Sequence, residues 1–218
     1  MKKPMQLVLL LTAMLAAGCS DATMAPTANT ADPGDATDVV LPGGGATAAL
    51  TSADTLRFTF VIDPYRARSY DLGAGNAIVF PAGSVCDPNR STYGNGEWDR
   101  PCTAATSSVT IQTKAWLDAR GYAHVDFDRH VRFVPSSNPS RWVMLTLSDY
   151  GASLSPWATI KYCKDVKHDS KGNCEDEAKK DPSLATVRNP VTGKLTRRVK
   201  HFSGYSLTSG REDEGYEF

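Results

Sequence analysis

Histidine and cysteine are scarce in this chain of 218 residues, which holds four of the first and five of the second. His124, His130, His168 and His201 lie too far apart for the paired spacing of a zinc protease, and no two cysteines have the short gap usual in a zinc site. A Gly-x-Ser-x-Gly elbow, a phosphate-binding glycine loop and a dinucleotide fingerprint are also lacking, which disfavours an enzyme acting on an ordinary external substrate. No apolar run beyond the first twenty residues approaches the length of about 20 needed to span a bilayer, so a polytopic membrane protein is excluded. Aromatic residues, Lys and Arg are all missing between Ser20 and Asp54, so that segment cannot bury enough apolar surface to offset its ordering entropy.

The chain opens with two cations, Lys2 and Lys3, ahead of an apolar run from Leu7 to Ala17, the charged and then hydrophobic order of a secretory signal peptide. The run is too short for a spanning helix and ends in Leu15-Ala16-Ala17-Gly18-Cys19, small residues directly before a cysteine. This resembles the lipobox of bacterial lipoproteins, with Ala16 where that family most often has leucine. The resemblance implies that residues 1–18 are removed, that the Cys19 thiol is joined to diacylglycerol, and that the new amino terminus is acylated with a chain such as palmitate. Several acyl chains, at about 0.8 kcal/mol per buried methylene, make a stable anchor where one is marginal. The expected location is therefore outside the cytoplasm, lipid-anchored to a bacterial membrane. Ser20 after the cysteine favours the outer membrane where the organism has one. An ordinary signal peptide with a chance cysteine is the plainer alternative.

Residues 19–54, mostly Ala, Thr, Gly, Pro and Asp, read as a flexible tether with a root-mean-square reach of about 30 to 35 Å. Charge divides the chain. The 24 basic and 24 acidic residues balance overall, yet residues 55–210 hold 21 Lys or Arg against 15 Asp or Glu, while the tail at 211–218 is acidic. A basic centre permits attraction to anionic surfaces, although the usual explanation is a solvated face that keeps the protein soluble. Within residues 55–210 apolar residues alternate: Leu56, Phe58 and Phe60; Ile78 and Phe80; Val109, Ile111 and Thr113; Val131 and Phe133; Val143, Leu145 and Leu147; Ile160 and Tyr162. Such segments are half-buried strands, and Gly73-Ala74-Gly75, Gly94-Asn95-Gly96 and Asn189-Pro190 punctuate them as turns. Asp176 to Lys180 has helix-forming residues but little apolar face. Eight or nine strands are expected in one all-β domain, a single antiparallel β-sandwich following the signal peptide and disordered tether.

With Cys19 set aside, four cysteines remain in an exported chain and admit three pairings. Pairing Cys86 with Cys102 and Cys163 with Cys174 is preferred, because each pair brackets a loop rich in Gly, Pro, Asn and charge that is otherwise costly to order. Each closure contributes about 3 kcal/mol in the chain-entropy picture.

Asn76-Ala77-Ile78-Val79-Phe80-Pro81-Ala82-Gly83-Ser84, then Val131-Arg132-Phe133-Val134-Pro135, then Val199-Lys200-His201-Phe202-Ser203-Gly204-Tyr205 follow one another in order. In this order and spacing they resemble the ZU-five β-sandwich domain of ankyrins, netrin receptors and related bacterial cell-surface proteins. The disulfide loops are not part of the animal pattern. The resemblance implies an interaction module. Some such domains also cleave themselves within a His-Phe-Ser triplet, which implies a candidate site at His201, Phe202 and Ser203. There the Ser203 hydroxyl would attack the Phe202 carbonyl with His201 assisting proton transfer, and the resulting ester would be hydrolysed. The plain reading is that Phe202 fills the core while His201 and Ser203 hydrogen-bond across the closing strands.

Other candidates are weaker. Asp126 and Asp128, either side of Phe127, suit a pair of catalytic carboxylates or the wet face of a strand. Asp87, Asn89, Ser91, Asn95, Glu97 and Asp99, and likewise Asp165, Asp169, Asn173, Glu175 and Asp176, offer oxygens to calcium, but such loops are usually solvated turns and no metal or cofactor is assigned. Of Trp98, Trp116, Trp142 and Trp157, Trp98 lies in a polar loop and is the best placed to meet a sugar. Arg188, Lys194, Arg197, Arg198 and Lys200 read as a solvated edge strand or as a face for anionic glycan or lipid. The expected partners are thus the membrane, through the lipid, and an envelope protein or glycan, and not nucleic acid.

Overall fold

The strand pattern is clearest at Val109–Leu117, where Val109, Ile111, Thr113, Ala115 and Leu117 turn inward and the residues between them face out or lie at the margin. Period-two burial of this kind fixes register, since a slip of one residue would turn the whole apolar set to solvent. In the computed structural model, which describes residues 55–118, 121–148, 157–164 and 174–209, this strand is β4. The signal peptide, Cys19, the tether, His168, Asp165, Asp169, Asn173 and the acidic tail lie outside the described residues.

The other strands are β1 (Thr55–Ile62), β2 (Arg68–Asp71), β3 (Ala77–Phe80), β5 (Ala123–Phe127), β6 (Val143–Leu147), β7 (Thr159–Cys163), β8 (Cys174–Glu175), β9 (Val187–Arg188), β10 (Leu195–Val199) and β11 (Gly204–Thr208). They form two antiparallel sheets, ordered β1-β4-β5-β11-β7-β8 and β2-β3-β6-β10-β9. The sheets pack face to face as a β-sandwich, the class the alternation predicts. Inward residues of both sheets make one core, with Phe80 touching the rings of Phe60, Tyr70, Phe133 and Phe202.

The tight β2–β3 turn shows why Gly73 is glycine. Its φ is +77°, and a Cβ there would come within 2.5 Å of Leu56 Cδ1. Both disulfides join the expected cysteines, Cys86 with Cys102 and Cys163 with Cys174.

Three expectations need correction. The strand expected at Val131 and Phe133 is reduced to isolated bridges, Arg132 to His201 and Phe133 to Val85, because Arg132 aims its guanidinium into the neighbouring loop and the segment runs on towards Pro135. Asp176 to Lys180 contains only a 3-10 turn, Glu177–Lys179, capped by the Asp176 carboxylate on the Ala178 amide. Of the basic group, Arg188 is exposed on the edge strand β9 and Lys194 is exposed beside it, as a solvated edge would have them, but Arg197 and Lys200 are buried. β10 lies inside its sheet between β6 and β9, and alternation sends Arg197 into the core beside Leu195 and Val199.

Arg197 is fully buried. One guanidinium nitrogen donates across the sandwich to the carbonyl of Ile160 on β7, and the other lies 2.7 Å from a Glu177 carboxylate oxygen. A buried cation is tolerable only when paired and hydrogen-bonded in this way. Replacing Arg197→Ala leaves Glu177 without its cation and is expected to lower unfolding stability by about 3 to 5 kcal/mol, measured by urea titration.

Candidate functional site

The stretch from Lys200 to Ser203 is the corner at which the chain leaves β10 in one sheet and enters β11 in the other. His201 and Phe202 are buried there, and Ser203 is half-buried. The corner is pinned along its backbone: the Phe202 amide donates to Val131 O (2.7 Å), the Phe133 amide to Lys200 O (2.8 Å) and the Phe127 amide to Ser203 O (3.3 Å). Phe202 fills the core as the plain reading of the triplet expects, with ring centroids 4.5 Å from Phe127 and 5.1 Å from Phe133.

His201 is held from several sides. Trp98 stacks on its ring at 3.9 Å, and the edge of Tyr162 meets it at 5.0 Å. Its Nε2 lies 3.4 Å from Glu177 Oε1, whose other oxygen pairs with Arg197. Its Nδ1 lies 3.3 Å from the Phe202 carbonyl oxygen and 3.4 Å from the Tyr93 hydroxyl. That hydroxyl donates to the same Phe202 oxygen, and the Ser203 side chain is near enough to favour its ionised form against the burial that opposes it. The Tyr205 hydroxyl donates to His201 O at 2.7 Å.

Imidazole and phenol therefore meet at the carbonyl oxygen of the peptide bond between Phe202 and Ser203, with the Glu177 carboxylate behind the imidazole. Glu177 lies against the imidazole, Tyr93 donates to the carbonyl oxygen and Ser203 carries a hydroxyl in the same peptide, the kinds of group that acyl transfer uses.

Tyr93, Trp98 and Glu177 come from within one disulfide loop and from just past the other. Tyr93 and Trp98 lie inside the Cys86–Cys102 loop, and Glu177 follows Cys174 by three residues. Arg132 locks the first loop further by donating to the carbonyls of Glu97 (2.7 Å), Arg100 (2.5 Å) and Pro101 (3.2 Å). No pattern in the sequence singles out Tyr93, Glu177 or Arg197 as partners of the triplet. The one signal was the cysteine bracket around Tyr93.

The remaining candidates disperse. Asp126 sits on β5, and Asp128, just beyond its end, accepts from the Gln112 amide at 2.9 Å. In the first acidic loop Asp87 accepts from the Asn89 amide, Glu97 is bonded by Thr92 and Arg100, and Asp99 pairs with Lys200. In the second, Glu175 pairs with Lys180 and Asp176 caps its turn.

Trp98, expected to be the free aromatic, has one face on His201; Trp157 is the exposed one, at 69%. Trp116 stacks on His124, and Trp142 carries Arg198 over its ring at 4.4 Å. Trp98 and Trp142, with Arg141, Arg198 and Lys200, line a shallow depression open to solvent. Lys200 there bridges Asp99 (2.5 Å) and Asp181 (2.6 Å). Burial opposes ionisation of Asp181, but the hydrogen bonds from Lys200 and Ser183 prevail and hold its carboxyl down at about 2.

Comparison with known proteins finds no matching protein-family model, no similar curated protein and no similar solved structure.

Burial pushes the phenols of Tyr205 and Tyr93 above their ordinary value, with Glu177 adding to both. Each is thus neutral in the folded chain at pH values where it ionises in the unfolded one. Their contribution to stability is complete below pH 10 and lost above it. Above about pH 10 the expected loss for fully buried Tyr205 is about 1.4 kcal/mol per pH unit, a contribution to the slope that Tyr205→Phe removes in urea titrations between about pH 10 and 12.

Proposed function

We propose that the chain is an exported lipoprotein, anchored through acylated Cys19, whose β-sandwich acts as a binding or structural module at the cell envelope. The observation that carries this reading is the pair of disulfides within the sandwich, since such bonds persist in oxidising compartments outside the cytoplasm. The signal-peptide pattern and the Leu-Ala-Ala-Gly-Cys sequence ending at Cys19 lead to the same compartment. The ZU-five resemblance, with its sandwich fold, favours an interaction module. Its partners are the membrane, through the lipid, and an envelope protein or glycan, for which the depression between Trp98 and Trp142 is the surface of matching chemistry.

A second reading, self-processing between Phe202 and Ser203, is favoured by one specific contact. The Tyr93 hydroxyl donates to the Phe202 carbonyl oxygen while lying 3.4 Å from His201 Nδ1. In this reading Ser203 Oγ bonds to the Phe202 carbonyl carbon with His201 assisting the proton transfer. The carbon–nitrogen bond then breaks, and water hydrolyses the ester.

For the first reading, the native protein is expected to partition with membranes and to have the mass of residues 19–218 plus acyl chains, less the hydrogens of two disulfides. Cys19→Ser is expected to appear in the soluble fraction; a variant that stays fully membrane-bound would overturn lipid anchoring. For the second reading, a denaturing gel of the native protein is expected to give a peptide of 16 residues starting at Ser203, absent from Ser203→Ala.

A further inference from the structure

The loop that carries Tyr93 lies between β3 and β4 and is closed by the Cys86–Cys102 bond, and it reaches the one peptide bond that the self-processing reading would break. The Tyr93 ring is fixed there by Trp98, whose centroid is 4.8 Å away, and by His130 at 4.7 Å. Its hydroxyl donates to the Phe202 carbonyl oxygen and lies 3.4 Å from His201 Nδ1. A phenol that merely satisfied a buried carbonyl would not need to lie against the imidazole as well. The anchors of the loop, the Cys86–Cys102 bond and the three Arg132 hydrogen bonds, hold that placement.

We propose that Tyr93 is a catalytic residue for cleavage between Phe202 and Ser203, donating the hydrogen bond that stabilises negative charge on the Phe202 oxygen while Ser203 adds to its carbonyl. This rests on the self-processing reading. As Ser203 Oγ bonds to the Phe202 carbonyl carbon, the carbon–oxygen double bond opens and its electron pair settles on the oxygen held by Tyr93. That pair returns as the carbon–nitrogen bond breaks, and the Ser203 hydroxyl proton ends on its own nitrogen, which becomes a free amine. The acyl group of Phe202 is left as an ester on Ser203 Oγ. Water then cleaves the ester, giving a Phe202 carboxylate and restoring the Ser203 hydroxyl, so the net change is addition of one water. Burial raises the Tyr93 phenol well above its ordinary value, with Tyr162 and Glu177 contributing, so the group remains a donor at neutral pH. A donor placed in advance on the developing oxyanion acts without reorganisation.

The test follows the full chain after cell-free synthesis under oxidising conditions, with fragments resolved on denaturing gels and by mass. Tyr93→Phe, which keeps the ring and removes only the hydroxyl, is expected to slow appearance of the Ser203 fragment by about 10²- to 10³-fold. Its urea midpoint, compared with that of Ser203→Ala, shows that both variants are folded. Hydroxylamine, which attacks esters, is expected to speed cleavage of the wild type and to leave Tyr93→Phe slow, because the ester does not form. A more acidic donor, 3-fluorotyrosine at position 93, is expected to raise the rate, and this comparison does not depend on removal of the hydroxyl. Cleavage of Tyr93→Phe at the wild-type rate while Ser203→Ala stays intact would overturn the role of Tyr93 and leave self-processing standing. Full rescue by hydroxylamine, or an unchanged rate with fluorotyrosine, would overturn it too. A wild-type chain that yields no Ser203 fragment would sink both.

Discussion

The pairing of Arg197 with Glu177 is the constraint on which the neighbouring structure depends. Alternation along β10 sends the Arg197 side chain inward between two apolar residues, where an unpaired cation would be intolerable. Glu177, from a short turn after the second disulfide, answers that charge at 2.7 Å, and the other guanidinium nitrogen reaches the backbone of the opposite sheet. One ion pair thus ties β10, β7 and the Glu177 turn together. Through its second oxygen Glu177 also faces His201, so the charge that stabilises the sandwich lies against the imidazole at its corner.

The corner gains its character from where the chain crosses. Between β10 and β11 the backbone passes from one sheet to the other, and Phe202 turns its ring into the aromatic centre of the core. The two neighbours of Phe202 are then left at the margin of the core, where loops outside the sandwich can reach them. A module that displays a surface and a domain that cuts its own chain place different demands on this corner. The first needs only a well-packed crossing, whereas the second needs groups aligned on one carbonyl. Because β11 is paired on both sides, with β5 and β7, a chain cut before Ser203 would keep its last strand in the sheet. The folded shape would then change little, and processing would show only when the chain is denatured.

The sequence alone determined the class of fold. Strict alternation in segments such as Val109–Leu117 and Val143–Leu147 dictates strands with one apolar face, and two sheets must meet to cover such faces. The disulfides were legible for a related reason: each closes a polar loop between nearby cysteines, a property of local chain order. Phe202 as a core residue, Gly73 in a tight turn and the bend at Asn189-Pro190 also follow from local chemistry.

Tertiary structure decided everything that depends on which distant residues meet. Arg197 in a run of cations reads as solvated, and only the inward phase of β10, set by pairing with β6, buries it. Val131 and Phe133 alternate like a strand, but the Arg132 side chain is drawn to loop carbonyls more than thirty residues earlier. The triplet at His201 was visible, yet its surroundings of Tyr93, Trp98 and Glu177 arrive from loops up to 109 positions away in the chain. Periodicity records which face of a strand is apolar; it carries no information on what a folded loop lays against that face. The class of fold was therefore local information, and the site was a product of long-range packing.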